Sequence, residues 1–402
     1  MPDKLFPVSD AISRVLSHCS PLEAERIPIY RCPGRILRET IQVPFDVPPF
    51  DRSAMDGYAL AGESLDGTYR LIGTIPAGTT ESFSLQTREC VRIFTGAPIP
   101  GGADRVAIQE ECQADGRLVR IAQPVKPGSH IRRRAEDARW GETALVEGQV
   151  LGPAQIGLAA SLGKAELMVS RQPSVWTIIT GTELVEPGQP LEAGQIYNSN
   201  AVQLAAQIKS FGGRPLSTAI ASDELMVIIR KIEEGINLRV DMICISAGAS
   251  VGEADYTRKA LEQCGFQIHF HGVDLKPGKP TLFATRRSIL AFGIPGNPVS
   301  HLAVFALLIA PALRALQGLP AVGPCLAELK EAWKGNPDRR DRWFPAIVQP
   351  MNASMQLQLL PWKGSGDLIA CRNANAVANI PADATSLPLG TKIRYAPLAG
   401  SL

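Results

Sequence analysis

Three segments of the chain combine glycine, proline and small polar residues in a way that suits ligand binding by backbone. They are Thr180-Gly181-Thr182-Glu183-Leu184, Ser246-Ala247-Gly248-Ala249-Ser250-Val251-Gly252-Glu253-Ala254-Asp255 and Gly293-Ile294-Pro295-Gly296-Asn297-Pro298-Val299-Ser300. Each follows an apolar run that reads as a strand. Glycine lets the backbone come close to a ligand, and N–H groups at a following helix start hold phosphate. Glu183 and Asp255 are oxygen donors of the kind Mg²⁺ takes, one or two carboxylates beside phosphate oxygens. Gly248 and Gly252 are four apart, which is not the dinucleotide fingerprint. Each loop alone also suits a plain strand-to-helix turn. Three of them at one sheet edge point to a crevice.

The turn Lys276-Pro277-Gly278-Lys279-Pro280 has a different chemistry. Pro280 and the strand-like TLFAT follow the second lysine, so no P-loop helix opens there. Two ammonium groups on a proline-stiffened turn still make an anion site, or a surface turn with solvated lysines. Further upstream, Arg132-Arg133-Arg134 offers forked donors for a phosphate or a pterin edge, although a solvated strand face is the simpler account. Asp56 and Asp137 equally suit turns. His269 and His271 share a strand face but lack a third metal ligand nearby, so they read as structural, and His301 is unassigned.

These residues need elements to position them. Residues 174–320 alternate strands (SVWTIIT, TAIAS, VDMICIS, QIHFHGV, SILAFGI) with helices (NSNAVQLAAQIKSFGG, DELMVIIRKIEEG, ADYTRKALEQCG, PVSHLAVFALLIAPALRALQG). That rhythm predicts a parallel, doubly wound α/β sheet, with ligands beyond the carboxyl ends of its strands. The N-terminal region, 1–170, opens with a helix at SDAISRVL, capped by Ser9 or Asp10. Short strands and Gly/Pro turns follow (QVPFDVPPF, CVRIFTGAPIPGGADRVAIQ, GRLVRIAQPVKPGS), a β-rich insertion over about 45–140. LGPAQIGLAASLGKAELMVS then reads as helix and strand. Domain boundaries are expected at 1–170, 171–320 and 321–402, the last a small β domain.

Bulk composition excludes several classes. The 402 residues hold 36 glycines and 32 prolines without a Gly-X-Y period, which excludes collagen and low-complexity disorder. A net charge of +2 and the lack of a polybasic tail give no case for nucleic acid or a membrane surface. The apolar run Leu302–Leu313 contains Pro311 and is too short to span a bilayer. The start, MPDKLFPVSDAISRV, has no apolar signal region. Eight scattered cysteines without a C-x-x-C pair read as reduced core thiols, so a cytoplasmic protein is expected.

Taken in order, PPFDRSAMDGYAL, RIFTGAPIPGGADRVAIQEE, HIRRRAEDARWGE, TGTEL, GQIYNSN, SVGEADYT, LKPGKP and GIPGNPVS resemble the molybdopterin molybdenumtransferase family, which includes bacterial MoeA and the gephyrin E domain. The motifs cover roughly residues 40–300. The resemblance implies an elongated multidomain homodimer, α/β plus β, whose α/β domain is a MogA-like molybdopterin-binding module. It implies Mg²⁺-dependent insertion of molybdate into adenylyl-molybdopterin with release of AMP, and a MogA-type adenylyltransferase as partner. By this match Glu183 and Asp255 hold Mg²⁺. Gly181, Thr182, Gly248, Ser250, Pro295 and Gly296 line the nucleotide and pterin pocket, and Lys276, Lys279, Ser300 and Ser365 bind molybdate. Asp56, Thr95, Asp137 and Asp223 fall at the family's functional positions, the first three reaching the pocket across the dimer.

The chain departs from the family pattern at Thr182, at Ala247 in place of a glycine, and at Pro345 in place of an arginine, with Arg340 and Arg342 nearby. These departures leave a second reading: a divergent, weakly active or inactive paralogue that binds molybdopterin or acts as a scaffold.

Overall fold

The computed structural model describes residues 5–78, 83–247, 253–320, 323–351 and 354–400. The chain divides into two compact units. One holds Glu39–Glu147 and Pro153–Ala165, and the other holds Met1–Arg38, Gly148–Gly152 and Glu166–Leu402.

The smaller unit is built on a six-stranded sheet. Its strands run in the order Arg105–Ile108, Gly57–Leu60, Glu89–Ile93, Thr68–Ile75, Leu118–Ile121 and Cys112–Asp115. Strand alternation gives this sheet two apolar faces. Ala59, Val91, Ile93 and Val106 pack on one. Tyr58, Leu60, Cys90 and Ala107 pack on the other. Gly57 is required by close approach, because a Cβ there would lie 1.9 Å from the Ala107 carbonyl oxygen. QVPFDVPPF was expected to be a strand, but only its first residue, Gln42, lies in one, the two-residue strand Ile41–Gln42. Pro44, Pro48 and Pro49 have no N–H to give a ladder, so the rest runs as loop.

The larger unit contains the expected α/β sheet, in the order Arg214–Ala221, Ser174–Thr180, Met242–Ala247, Ile289–Pro295, Leu282–Arg286 and Gln267–His271. The first four strands are parallel. The last two pair antiparallel, so the sheet is mixed at that edge. The reason is local: Arg286 and Ile289 are joined by a two-residue turn with Arg287 at φ 53°, and such a turn makes only a hairpin. Helices cover both faces. Leu204 and Ile208 of the helix Ser199–Ser210 join Val175, Met242 and Cys244 in one core. Ile228, Ile232, Ala260 and Leu261 join Trp176, Ile178, Ile243 and Ile245 in the other. Gly212, at φ +77°, ends Ser199–Ser210 as predicted.

Two helix details differ from expectation. The first helix, Val8–Leu16, begins after Pro7 and has no side-chain cap; Ser9 lies inside its first turn, donating to Asp10. The helix Pro298–Leu316 lies within the expected PVSHLAVFALLIAPALRALQG, but its 19 residues exceed the Leu302–Leu313 run that was read as too short to span a bilayer. It is long and apolar enough to cross a membrane, but nearly all of it is buried in the α/β core. Phe305–Ile309 within it is a π turn. It sits just before Pro311, whose missing N–H and bulky ring disrupt the regular ladder.

The C-terminal strands close on themselves. Asp341–Met351, Ser354–Leu359, Cys325–Leu329, Lys392–Pro397 and Ala376–Ile380 pair in that order, and the last pairs back to the first. Ala327, Leu329, Ala346, Leu357, Ala378 and Ile393 fill this small barrel. A short strand, Leu275–Lys276, adds to its edge in parallel with Asp341 and Arg342. The lysine-bearing turn is thus stitched to the barrel on one side and runs into the α/β sheet on the other.

Candidate active site

Strand register sets one edge of the site. Thr180 lies opposite Ala221, Ile179 opposite Ser246, and Ala247 opposite Pro295. The loops beginning at Gly181, Ser222, Gly248 and Gly296 therefore leave the sheet at the same carboxyl edge. Gly181 has φ +153°, and a Cβ there would meet the Glu183 carboxylate at 2.8 Å. Its N–H donates to the Ala221 carbonyl at 3.3 Å, which holds the Glu183 and Asp223 loops side by side. Glu183 is exposed. Asp223 Oδ1, Thr180 Oγ1 and Thr257 Oγ1 are buried without a hydrogen-bond partner. Gly248 and Ser250 lie outside the described residues. Asp255 falls in the first turn of the helix Glu253–Gln263, and its side chain is likewise outside the description.

A polar network ties this edge together. Asn200 Nδ2 donates to the Gly296 carbonyl at 2.6 Å and approaches Ser246 Oγ at 3.5 Å. Ser246 Oγ shares a 2.8 Å hydrogen bond with His301 Nε2. His301 is fully buried, and burial pushes its pKa down to about 3, so the ring is neutral. Asn198 caps the helix Ser199–Ser210 by accepting from the Ala201 N–H. Sequence reading missed the roles of Asn200 and His301. The NSN run before an apolar helix was the available signal.

Beside this edge lies a cavity of about 1170 Å³. Lys276, Lys279, Pro295, Gly296 and Ser300 line it from the α/β side, and Trp333, Asp338, Arg340, Trp362 and Ser365 from the barrel side. Six residues singled out from the sequence, Lys276, Lys279, Pro295, Gly296, Ser300 and Ser365, thus meet in one place. The Val299 N–H donates to the Ser365 carbonyl at 3.0 Å and holds the barrel loop against the helix start. Gly181, Thr182, Glu183 and Asp223 belong to the strand edge and do not line the cavity.

The cavity is strongly cationic: among the described residues, Lys276, Lys279, Lys334, Lys363, Arg340 and Arg342 stand against one carboxylate, that of Asp338. These cations are not equivalent. The Lys276 ammonium is 2.5 Å from Asp338 Oδ2. The ammonium groups of Lys279, Lys334 and Lys363 have no partner among the described residues. Arg342 donates to the carbonyls of Asn336, Pro381 and Ala384 and stacks on Trp333, so it is structural. Arg340 spends one nitrogen on the Leu275 carbonyl. Of the two arginines near Pro345, Arg342 has both terminal nitrogens engaged and only its buried Nε without a partner, whereas Arg340 gives up a single side-chain nitrogen. Pro345 itself is buried in the strand Asp341–Met351.

His269 and His271 do not form a metal pair. His269 bonds Thr285 Oγ1 at 2.7 Å and packs against His18, with ring centroids 4.0 Å apart. His271 lines the cavity. Among the described residues no group of three His, Cys, Asp or Glu side chains is placed for a metal.

The smaller unit carries its own cluster. The Thr95 N–H and hydroxyl both donate to Asp56 Oδ1, at 2.8 and 2.9 Å. These bonds hold the Asp56 carboxyl below its ordinary range. The three consecutive arginines are not a free anion patch, because each has an acidic partner, although Arg133 and Arg134 remain exposed to solvent as the simpler account expected. Arg132 pairs with Asp137 and Glu136, Arg133 with Asp51 and Arg134 with Asp46. Asp137 is thereby an ion-pair partner within its own loop.

The fold and site together define a molybdenum cofactor biosynthesis protein of the molybdopterin-binding type. Residues 6–163 match the model of the MoeA N-terminal region, domains I and II, and residues 176–315 match that of a probable molybdopterin binding domain. The chain belongs to the molybdopterin molybdenumtransferase (MoeA) family. It is 33% identical over 396 residues to molybdopterin molybdenumtransferase 2 of Mycobacterium tuberculosis, covering 95% of this chain and 96% of that one. It is 37% identical over 319 residues to the molybdopterin molybdenumtransferase of Haemophilus influenzae, covering 78% of each. A solved molybdopterin biosynthesis MoeA protein from Pyrococcus horikoshii superposes with a TM-score of 0.77 at 28% identity, over 98% of this chain and 100% of that one.

Proposed function

We propose that this chain inserts molybdenum from molybdate into adenylyl-molybdopterin and releases AMP. One observation carries the reading most directly. Lys276, Lys279, Ser300 and Ser365 converge on a cationic cavity that adjoins the carboxyl edge of a molybdopterin-binding sheet. The transfer asks little covalent help from the protein. It needs an anion cradle beside the dithiolene and a place for the adenylyl group. Lys279 and the Ser300 and Ser365 hydroxyls suit a tetrahedral oxyanion, and Arg340 adds charge from the barrel side. The loops at Gly181, Thr182, Gly248, Ser250, Pro295 and Gly296 would hold the nucleotide and pterin through backbone groups. Water attacks the phosphoanhydride, and AMP leaves as one of the two phosphate products; two oxygens of molybdate depart as water, with protons from the dithiolene thiols and the solvent, as the two sulfurs take their places on Mo(VI).

Glu183 and Asp223, together with Asp255, fit a divalent cation. The buried, unpartnered Asp223 Oδ1 and the exposed Glu183 carboxylate are hard oxygen donors on adjacent loops. Mg²⁺ bound there would neutralise phosphate charge as the anhydride breaks. Asp56, Thr95 and Asp137 would contribute from the β-rich unit of a second copy, in a cytoplasmic homodimer supplied by a MogA-type adenylyltransferase.

The test is AMP release by purified protein given adenylyl-molybdopterin, molybdate and Mg²⁺. Absence of AMP where an authentic family member produces it overturns the proposal. A paralogue that binds without turnover would show tight calorimetric binding in the same samples. The likeness to proteins named molybdopterin molybdenumtransferase over most of the chain favours turnover over that second reading.

A further inference from the structure

Among the described residues, Lys276 is the one cavity cation neutralised by a side-chain carboxylate, and that carboxylate comes from a segment 62 residues away. Asp338 is held rigidly by its own turn. Its Oδ1 accepts from the N–H groups of Arg339 at 2.7 Å and Arg340 at 3.2 Å. Oδ2 faces Lys276. The two partners therefore differ in freedom. Asp338 is fixed by backbone, whereas Lys276 carries its charge on a flexible four-carbon stem.

We propose that Asp338 is an internal counter-anion that occupies Lys276 in the empty cavity and is displaced by an entering oxyanion, which makes it a specificity-determining residue. This inference rests on the reading of the cavity as the oxyanion site. An anion that gains Lys276 must first break a short, partly buried ion pair and then sit close to the fixed carboxylate of Asp338. Only a ligand that also recruits Lys279 and the neighbouring hydroxyls recovers that cost. A dianionic tetrahedral oxyanion does so. Chloride and other small monoanions of the medium do not. When the oxyanion leaves, Asp338 recaptures Lys276 without any change in the backbone.

Calorimetric titration of the full chain with molybdate and with chloride tests this. Asp338→Asn keeps an acceptor for the Arg339 and Arg340 N–H groups but removes the charge. It should tighten molybdate binding about tenfold, as expected for deleting a like charge near an anion, and make chloride a measurable competitor. Unchanged or weaker molybdate binding in Asp338→Asn overturns the inference. Lys276→Met and Lys279→Ala separate the two levels. If both leave molybdate binding at the wild-type value, or if neither wild type nor Asp338→Asn binds molybdate, the cavity is not the oxyanion site and both readings fall. If the lysine variants weaken binding and Asp338→Asn does not tighten it, the inference about Asp338 alone fails.

Discussion

Ser246 Oγ and His301 Nε2 meet at 2.8 Å in the interior and join the end of a central strand to the helix that follows the GIPGNP turn. Asn200, bonded to the Gly296 carbonyl, stands beside them. The end of the strand Met242–Ala247, the Gly296 turn and the start of the helix Ser199–Ser210 are therefore referenced to one polar core.

His301 makes this core sensitive to acid. Its pKa in the fold is pushed down to about 3, while the unfolded chain has an ordinary histidine near 6.5. The unfolded state thus binds more protons between those values, and stability is lost as pH falls from 6.5 toward 3. Between pH 7.5 and 5.5 the wild type should lose about 1 kcal/mol through this residue. Urea unfolding of wild type and His301→Gln at both pH values checks it. The stability gap between them should narrow by that amount at pH 5.5, and an unchanged gap contradicts a buried neutral imidazole.

A second buried pair supports the sheet from its other end. Asp241 accepts from both Arg171 terminal nitrogens at 2.7 and 2.8 Å and from the Ser174 N–H and hydroxyl at 2.7 Å. Burial raises the Asp241 pKa, but the bonds from Arg171 and Ser174 outweigh it and leave it below the ordinary value. Its contribution is present above pH 3.8 and is lost as pH falls through the lower folded value. Asp241→Asn should cost about 3 kcal/mol in guanidinium unfolding at pH 7. A loss below about 1 kcal/mol would show that the pair adds little.

Lys279 is the cleanest probe of the anion site, since its ammonium is unpaired and its removal strands no carboxylate. Lys279→Ala should raise the molybdate concentration for half-maximal AMP release by at least about tenfold, the scale of one charge-assisted hydrogen bond. The melting temperature should stay within a degree or two. An unchanged molybdate dependence places the anion elsewhere.

For the cation, Asp255→Ala should abolish Mg²⁺-dependent AMP release while circular dichroism and melting are retained. Asp223→Asn should raise the Mg²⁺ requirement, because a neutral amide oxygen is a weaker donor to a hard cation. Activity of both variants at wild-type Mg²⁺ levels removes these carboxylates from the metal site.

Much of this was readable from sequence because it depends on local pattern. Short, nearly continuous apolar runs in VDMICIS and SVWTIIT read as buried strands, and Gly212 marked a helix end. The KPGKP lysines and Pro295-Gly296 announced a cation-lined crevice. What escaped depends on pairs far apart in the chain. Asp46 and Asp51 reach the arginines 88 and 82 residues downstream, and Asp338 reaches back 62 residues to Lys276. No spacing rule announces such partners, so free charges on paper became ion pairs in the fold. The QVPFDVPPF segment failed for the opposite reason: apolar alternation was present, but proline removed the donors a strand requires.

The edge strand Leu275–Lys276 has a consequence for dissecting the gene. Cutting the chain between the α/β sheet and the barrel would appear to separate two self-contained modules. It would instead leave Lys276 without its strand partner and Asp338, and remove Ser365 from the wall of the cavity. A fragment ending near residue 320 would keep the α/β sheet and lose the half of the cavity wall that the barrel supplies. Truncations and fusions intended to preserve the chemistry should therefore treat the turn and the barrel as one piece.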